Sequence, residues 1–118
     1  MKVMVLDDDA AITRLTKAVL RMHGFEVTEY NDPLQAVTIL ETEAFNLILV
    51  DIMMPGMHGI QFIEEVRKSQ LNATTPCVIL TAKKLVEDER RKIFEMGGEI
   101  MTKPFIPQKL VEKVREML

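Results

Sequence analysis

Short aliphatic and β-branched runs recur along the chain at residues 3–6, 27–30, 47–50, 78–80 and 100–102, and each predicts a strand. Residues 3–6, 47–50 and 78–80 are almost wholly apolar instead of alternating, the pattern of strands covered on both faces. They are expected at the centre of the sheet. The intervening segments carry helical spacing. Ile12, Leu15, Val19 and Met22 fall on one face of a first helix that ends at Gly24. Asp32 followed by Pro33 reads as a cap and a first helical residue, with Leu34, Val37 and Leu40 as the apolar face of a second. Ile60, Ile63 and Val66 mark a third, residues 85–96 before Gly97 a fourth, and Leu110, Val114 and Met117 after Pro107 a fifth. Strand and helix thus alternate five times. This (βα)5 order implies an α/β fold, a doubly wound three-layer sandwich whose parallel strands are joined by right-handed crossovers.

A chain of 118 residues is the size of one domain, and 47% hydrophobic with 28% charged residues is ordinary globular composition. The net charge of -3 gives no reason to expect nucleic acid or anionic lipid as a partner. No apolar run approaches the roughly 20 residues that span a bilayer, and three acids follow the first strand where a secretion signal would stay apolar. The expected location is the cytoplasm. Cys77, the single cysteine, reads as a small buried hydrophobe with no cationic neighbour evident. His23 and His58 are too far apart in the pattern to pair on a metal, the nine methionines read as flexible core filling, and the mixed charges of residues 87–92 read as a solvated helix face.

In a doubly wound sheet, ligands bind beyond the carboxyl ends of the strands. Those ends hold Asp7, Asp8 and Asp9, then Asp51, Thr81 and Lys103, while the second strand ends without a candidate. Singly, each has a structural explanation as a helix cap, a loop opener or a solvated charge. Together they bring carboxylates, a hydroxyl and an ammonium to one rim. Asp7, Asp8 and Asp51 against Lys103 leave two negative charges, which one divalent ion cancels. Mg²⁺ suits an all-oxygen site with few protein ligands and often binds together with a phosphate. The hydroxyl and ammonium can hold phosphoryl oxygens, and a carboxylate can be the acceptor.

Over essentially its whole length the chain resembles the receiver domain of two-component response regulators. VMVLDDD resembles that family's first strand and acidic pair, LILVDIMMPGMHG its phosphoacceptor strand and following loop, VILTA its switch-hydroxyl strand, and MTKPF its lysine and proline. By length, the single-domain chemotaxis regulators are the nearest type. The resemblance implies a flavodoxin-like sheet in order 2-1-3-4-5 and a response regulatory domain over 1–118. It further implies that Asp51 accepts a phosphoryl group, that Asp8, Asp51 and the main-chain carbonyl of Met53 bind Mg²⁺, and that Asp7 helps through water. Lys103 and Thr81 would hold phosphoryl oxygens, Ala82 would leave room for in-line approach, and Asp9 would cap the first helix. The donor would be a histidine kinase or histidine phosphotransfer protein, and the output face would be the fourth helix, fifth strand and fifth helix. Beyond self-directed phosphorylation and dephosphorylation no enzymatic activity is implied, nor any direct contact with nucleic acid or membrane. The expected state is a monomer or a phosphorylation-linked dimer. Two features depart from the family pattern. Ile100 stands where Tyr or Phe is usual, and residues 96–99 look one residue short between helix and strand. Met53 and Lys83, each two residues past a site residue, flank the acceptor as residues that either tune phosphoryl lifetime or are simply solvated.

Three other functions compete. An aspartyl-phosphate phosphatase would need a second acid two residues after Asp51, where Met53 sits, and a substrate-capping insert. A flavin module is disfavoured by one tyrosine, no tryptophan and no Ser/Thr-rich phosphate loop. A receiver working purely by protein contact would not need all five site groups.

Overall fold

The computed structural model describes residues 1–82 and 84–118; Lys83 lies outside them. The chain folds as β1 (Lys2–Leu6), α1 (Ala10–Met22), β2 (Glu26–Tyr30), α2 (Pro33–Leu40), β3 (Leu47–Asp51), α3 (Gly59–Lys68), β4 (Cys77–Thr81), α4 (Glu87–Glu95), β5 (Gly98–Thr102) and α5 (Pro107–Met117). All strand pairs are parallel and the sheet runs in order 2-1-3-4-5. The three apolar runs are β1, β3 and β4, at its centre.

Alternate residues of these strands feed two cores. Met4, Leu6, Ile48, Val50, Cys77 and Ile79 pack with side chains of α2, α3 and α4, while Val3, Val5, Leu47, Leu49, Val78 and Leu80 meet α1 and α5. Met4 and Met54 are buried, and Met57, Met96, Met101 and Met117 pack against the two cores, so core filling describes most of the methionines.

The outer helices are rotated from the expected phase. In α1 the buried positions are Thr13, Thr16 and Leu20, while Leu15 is 60% and Met22 83% exposed. In α2 they are Pro33, Ala36 and Leu40, with Leu34 exposed. Leu40 is buried as expected and Val19 and Val37 pack against the cores, while the remaining landmarks are displaced by one residue, or about 100° around a helix. In α1 the buried stripe contains threonine, and the Thr13 hydroxyl is satisfied locally by donating to the Ala10 carbonyl at 3.1 Å. In α2 it contains proline and alanine, which a search for large apolar side chains passes over.

The fourth helix starts later than expected and the fifth strand starts earlier. Leu85 is buried ahead of α4 rather than within it. Met96 and Gly97 alone join α4 to β5, with Gly97 at φ +76° and its N–H donating to the Phe94 carbonyl at 3.0 Å. The segment that looks short is this tight turn.

Gly59 sets the seat of α3. A Cβ there would lie 2.5 Å from the Asp51 carbonyl oxygen and 2.8 Å from the Ile52 Cα, so the helix start abuts the backbone at the end of β3. Gly59→Ala should therefore destabilise the fold by about 1–3 kcal/mol through overpacking, read as a lower urea midpoint at unchanged m-value. Unaltered stability would show that α3 can retreat freely from β3.

Candidate functional site

Each member of the site is delivered by the carboxyl end of a central strand or the residue after a strand. Asp7 follows β1, Asp51 ends β3, Thr81 ends β4 and Lys103 follows β5. Parallel pairing places them on one rim, with Thr81 opposite Thr102 and Asp51 opposite Leu80 in register.

Asp7 is buried and fully engaged. Its Oδ1 accepts the Asp9 main-chain N–H at 2.9 Å and its Oδ2 lies 2.6 Å from the Lys103 ammonium. The same ammonium is 3.3 Å from Asp51 Oδ1. Lys103 is fixed from below as well, since its N–H donates to the Thr81 carbonyl at 2.7 Å. It then leads into a cis Lys103–Pro104 peptide. Asp8 is exposed, yet Asp7, Asp8 and Asp51 each place a carboxylate oxygen within 4.8 Å of the others, a cluster that could hold a metal ion. These groups line an open recess of about 420 Å³ that also takes in Met53 and Ala82.

Burial pushes the Asp51 carboxyl above the ordinary aspartate value, and the charges of Asp7 and, least, Asp8 push the same way against the opposing pull of Lys103. For Lys103, burial works against the charged form, but the hydrogen bond and charge of Asp7, joined by those of Asp51, raise its pKa overall. Three carboxylates facing one ammonium fit a hard divalent cation in donor type and charge.

Several assignments made singly are resolved. Asp9 caps α1, its Oδ1 accepting from the Ala11 and Ile12 N–H groups at 2.9 and 3.4 Å. Thr81 caps no helix, because α4 begins after Val86. Both histidines serve helix ends: His23 Nδ1 donates to the Val19 carbonyl at 2.9 Å, and His58 Nδ1 accepts from the Ile60 N–H at 3.2 Å. Cys77 is buried as expected, but a cationic neighbour exists. Arg67 Nη2 is 3.8 Å from its sulfur, yet burial dominates and the thiol is pushed up to about 11. Ile100 is half-buried on β5, in register with Ile79, and packs against the α2–α4 core. The suggestion about Lys83 falls outside the described residues.

One contributor went unseen in the sequence, at the only strand end without a candidate. Asn31, one residue past β2, donates from Nδ2 to the Asp7 carbonyl at 2.8 Å and to the Thr13 hydroxyl at 2.9 Å. An amide carries no titratable signal, and only its place after a strand could have marked it.

The chain is a doubly wound α/β domain with acids, a hydroxyl and a lysine gathered at the carboxyl rim of its sheet, the place where such sheets bind ligands. The family model described as the response regulator receiver domain matches residues 3–115, and the chain belongs to that family, of which a phosphoacceptor role is characteristic. It is 34% identical over 117 residues to the phosphate regulon transcriptional regulatory protein PhoB of Escherichia coli, covering 99% of this chain and 51% of the relative. The chain thus spans about half the length of the curated relatives it matches. The chemotaxis response regulator CheY4 of Vibrio cholerae superposes with a TM-score of 0.90 at 27% identity, with 99% of this chain and 98% of that one covered. The receiver domain of sensor histidine kinase PA1611 from Pseudomonas aeruginosa, with a magnesium ion in its active site cleft, gives 0.86 at 26% identity and covers 98% and 95%. Among the described residues, no helix is long and apolar enough to cross a membrane.

The raised Asp51 pKa has a consequence for stability. Folded Asp51 keeps its proton to higher pH than the unfolded chain, so between the ordinary value of 3.8 and the raised one the native state binds more protons. The contribution of Asp51 to metal-free stability falls as pH rises through that window. Asp51→Asn lacks this loss and should melt above wild type at neutral pH in chelator, with the gap closing toward acid. Thermal unfolding from about pH 4 to about pH 8 checks it, and a wild type that gained on the variant across that range would contradict the sign.

Proposed function

We propose that the chain, over 1–118, is a receiver that takes a phosphoryl group onto Asp51 from the phosphohistidine of a histidine kinase or phosphotransfer protein. The observation that carries this is the pairing of one ammonium with two buried acids at the rim. Lys103 is held by Asp7 at 2.6 Å and reaches Asp51 at 3.3 Å, which leaves Asp51 the acid less tightly bound and open to the recess.

In the proposed reaction a carboxylate oxygen of Asp51 attacks phosphorus. A P–O bond forms as the P–N bond to the donor imidazole breaks, and the imidazole leaves with its electron pair and takes up a proton. The transition state is loose, so the domain's contribution is alignment and charge neutralisation. Mg²⁺ fits the acid cluster, with Asp8, Asp51 and the Met53 main-chain carbonyl as its protein ligands, and when bound it supplies neutralisation of phosphoryl charge. Asp7 acts through water, a role consistent with both its oxygens being engaged by Asp9 and Lys103. The magnesium in the PA1611 receiver supports this choice of ion. Lys103 and Thr81 hold the transferred oxygens, and Ala82 leaves the in-line approach open.

Phosphorylation adds roughly one further negative charge and new acceptor oxygens at the rim. Lys103 and Thr81 are drawn toward it, which biases α4, β5 and α5 as the output face. The chemistry is directed at the domain's own aspartate, in the cytoplasm where its donors act, with no direct contact to nucleic acid. The working form is a monomer or a phosphorylation-linked dimer.

Incubation with acetyl phosphate and Mg²⁺ should add one phosphoryl group, a mass gain of about 80 Da, that is absent in Asp51→Asn and without added Mg²⁺. A wild type that stays unmodified, or an Asp51→Asn variant modified equally, would remove Asp51 from this role. With beryllofluoride and Mg²⁺, backbone amide shifts should change across α4, β5 and α5. Shifts confined to the rim would disprove the output switch while leaving phosphorylation intact.

A further inference from the structure

Of the five strand ends at the rim, that of β2 contributes no charge and no nucleophile. It contributes Asn31. The residue is exposed, so burial explains little, yet its amide donates both to the loop that carries the acids and to the first turn of α1 that follows it. One goes to the Asp7 carbonyl. The other goes to the hydroxyl of Thr13, which is fully buried and in turn donates to the Ala10 carbonyl at 3.1 Å. Residues 7 to 10 are therefore bracketed at both ends by one amide.

Asp8 lies inside that bracket. The Asp7 carbonyl belongs to the peptide unit that joins residue 7 to residue 8, so a donor fixed on that oxygen orients the plane from which the Asp8 backbone departs. The Asp7 carboxylate is already held by Asp9 and Lys103, and the helix start by the Asp9 cap. Of the bonds that hold this segment, the one from Asn31 is made to the carbonyl of the 7–8 peptide itself. An alcohol could not supply two donors in this place, and a carboxylate would supply none.

From this juxtaposition we infer that Asn31 is a positioning residue for the divalent cation: through the Asp7 carbonyl and Thr13 it sets the presentation of Asp8, and with it the affinity of the acidic site for Mg²⁺. The inference rests on the reading that Asp7, Asp8 and Asp51 hold the ion. Groups that orient metal ligands from behind commonly govern affinity while touching neither metal nor substrate.

The test is a Mg²⁺ titration of the full chain, followed by the backbone amide shifts of Asp8 and Asp51, with thermal unfolding in chelator run in parallel. Four proteins are compared: wild type, Asn31→Ala, Thr13→Val and Asn46→Ala. Asn46 is the control, an exposed asparagine whose Oδ1 accepts the Lys2 N–H at 2.8 Å at the far end of β1. Asn31→Ala and Thr13→Val should each weaken Mg²⁺ roughly tenfold, while Asn46→Ala stays within about twofold of wild type whatever it does to the melting temperature. A folded Asn31→Ala that binds Mg²⁺ as wild type does, or that loses no more than Asn46→Ala, overturns the role of Asn31. Thr13→Val, which keeps the buried shape but not the hydroxyl, decides the point should Asn31→Ala melt early. A wild type with no saturable Mg²⁺ response overturns the cation site itself, and this inference with it.

Discussion

One ammonium facing three carboxylates is the constraint around which this domain is arranged. Lys103 lies 2.6 Å from Asp7 and 3.3 Å from Asp51, while Asp8 places a third acid within 4.8 Å of both. The cluster carries a net negative charge in a partly buried place, where opposing charges are screened less than in water. The Asp51 pKa is raised first by burial and then by the charge of Asp7, against the pull of Lys103. A metal-free site of this kind is under-neutralised by design of its residues, and a bound cation or a lost charge relieves it. Holding Asp51 buried beside Asp7 therefore costs the metal-free fold stability wherever its carboxyl is ionised.

The parallel sheet makes this crowding possible. Antiparallel neighbours would send alternate strand ends to opposite edges, whereas here β1, β3, β4 and β5 all point the same way. The loops at the rim are then held by main-chain bonds that do not depend on the charges. The Lys103 N–H reaches the Thr81 carbonyl at 2.7 Å, and the Gly59 N–H reaches the Ile52 carbonyl at 2.8 Å. Asp7 also receives support from β2, since its N–H donates to the Tyr30 carbonyl at 3.2 Å. A rigid main-chain frame thus surrounds a repulsive cluster and holds its loops in place whatever the charge state of the acids.

How much of this was legible in the sequence depended on what kind of signal each feature leaves. Element order and the central strands were legible, because burial on both faces demands continuous aliphatic runs. The charged rim was legible because titratable residues are rare just after buried strands. Helix rotation was not, since Thr13, Thr16 and Ala36 fill the buried stripes with residues that do not register as apolar landmarks. The early start of β5 was hidden for a related reason. Gly98 reads as a turn residue, but a Cβ there would come within 2.9 Å of the Ile93 side chain, so a strand position pressed against α4 favours glycine. Asn31 and Arg67 act through main-chain carbonyls, which no side-chain pattern records.

The two ends of α4 are held differently, and that bears on how a change at the rim can be felt. At the C-terminal end Ile93 is buried, and Arg67 donates from Nε to the Met96 carbonyl at 2.7 Å and from Nη1 to the Thr75 carbonyl at 2.7 Å, tying the turn to the start of β4. At the N-terminal end Val86 is exposed and has no side-chain oxygen to cap the first turn, though its N–H donates to Glu89 Oε1 at 3.2 Å. The contact from the β3–α3 side is between His58 and Glu89 at 3.7 Å, an ion pair only when the imidazole is protonated. Ile100, beside this helix, is half-buried against the core, and its β-branched side chain has stiffer rotamers than an unbranched one. Ile93 and the Arg67 bonds therefore fix the C-terminal end of α4 against the sheet, while its N-terminal end, nearer the acidic rim, is the less enclosed of the two.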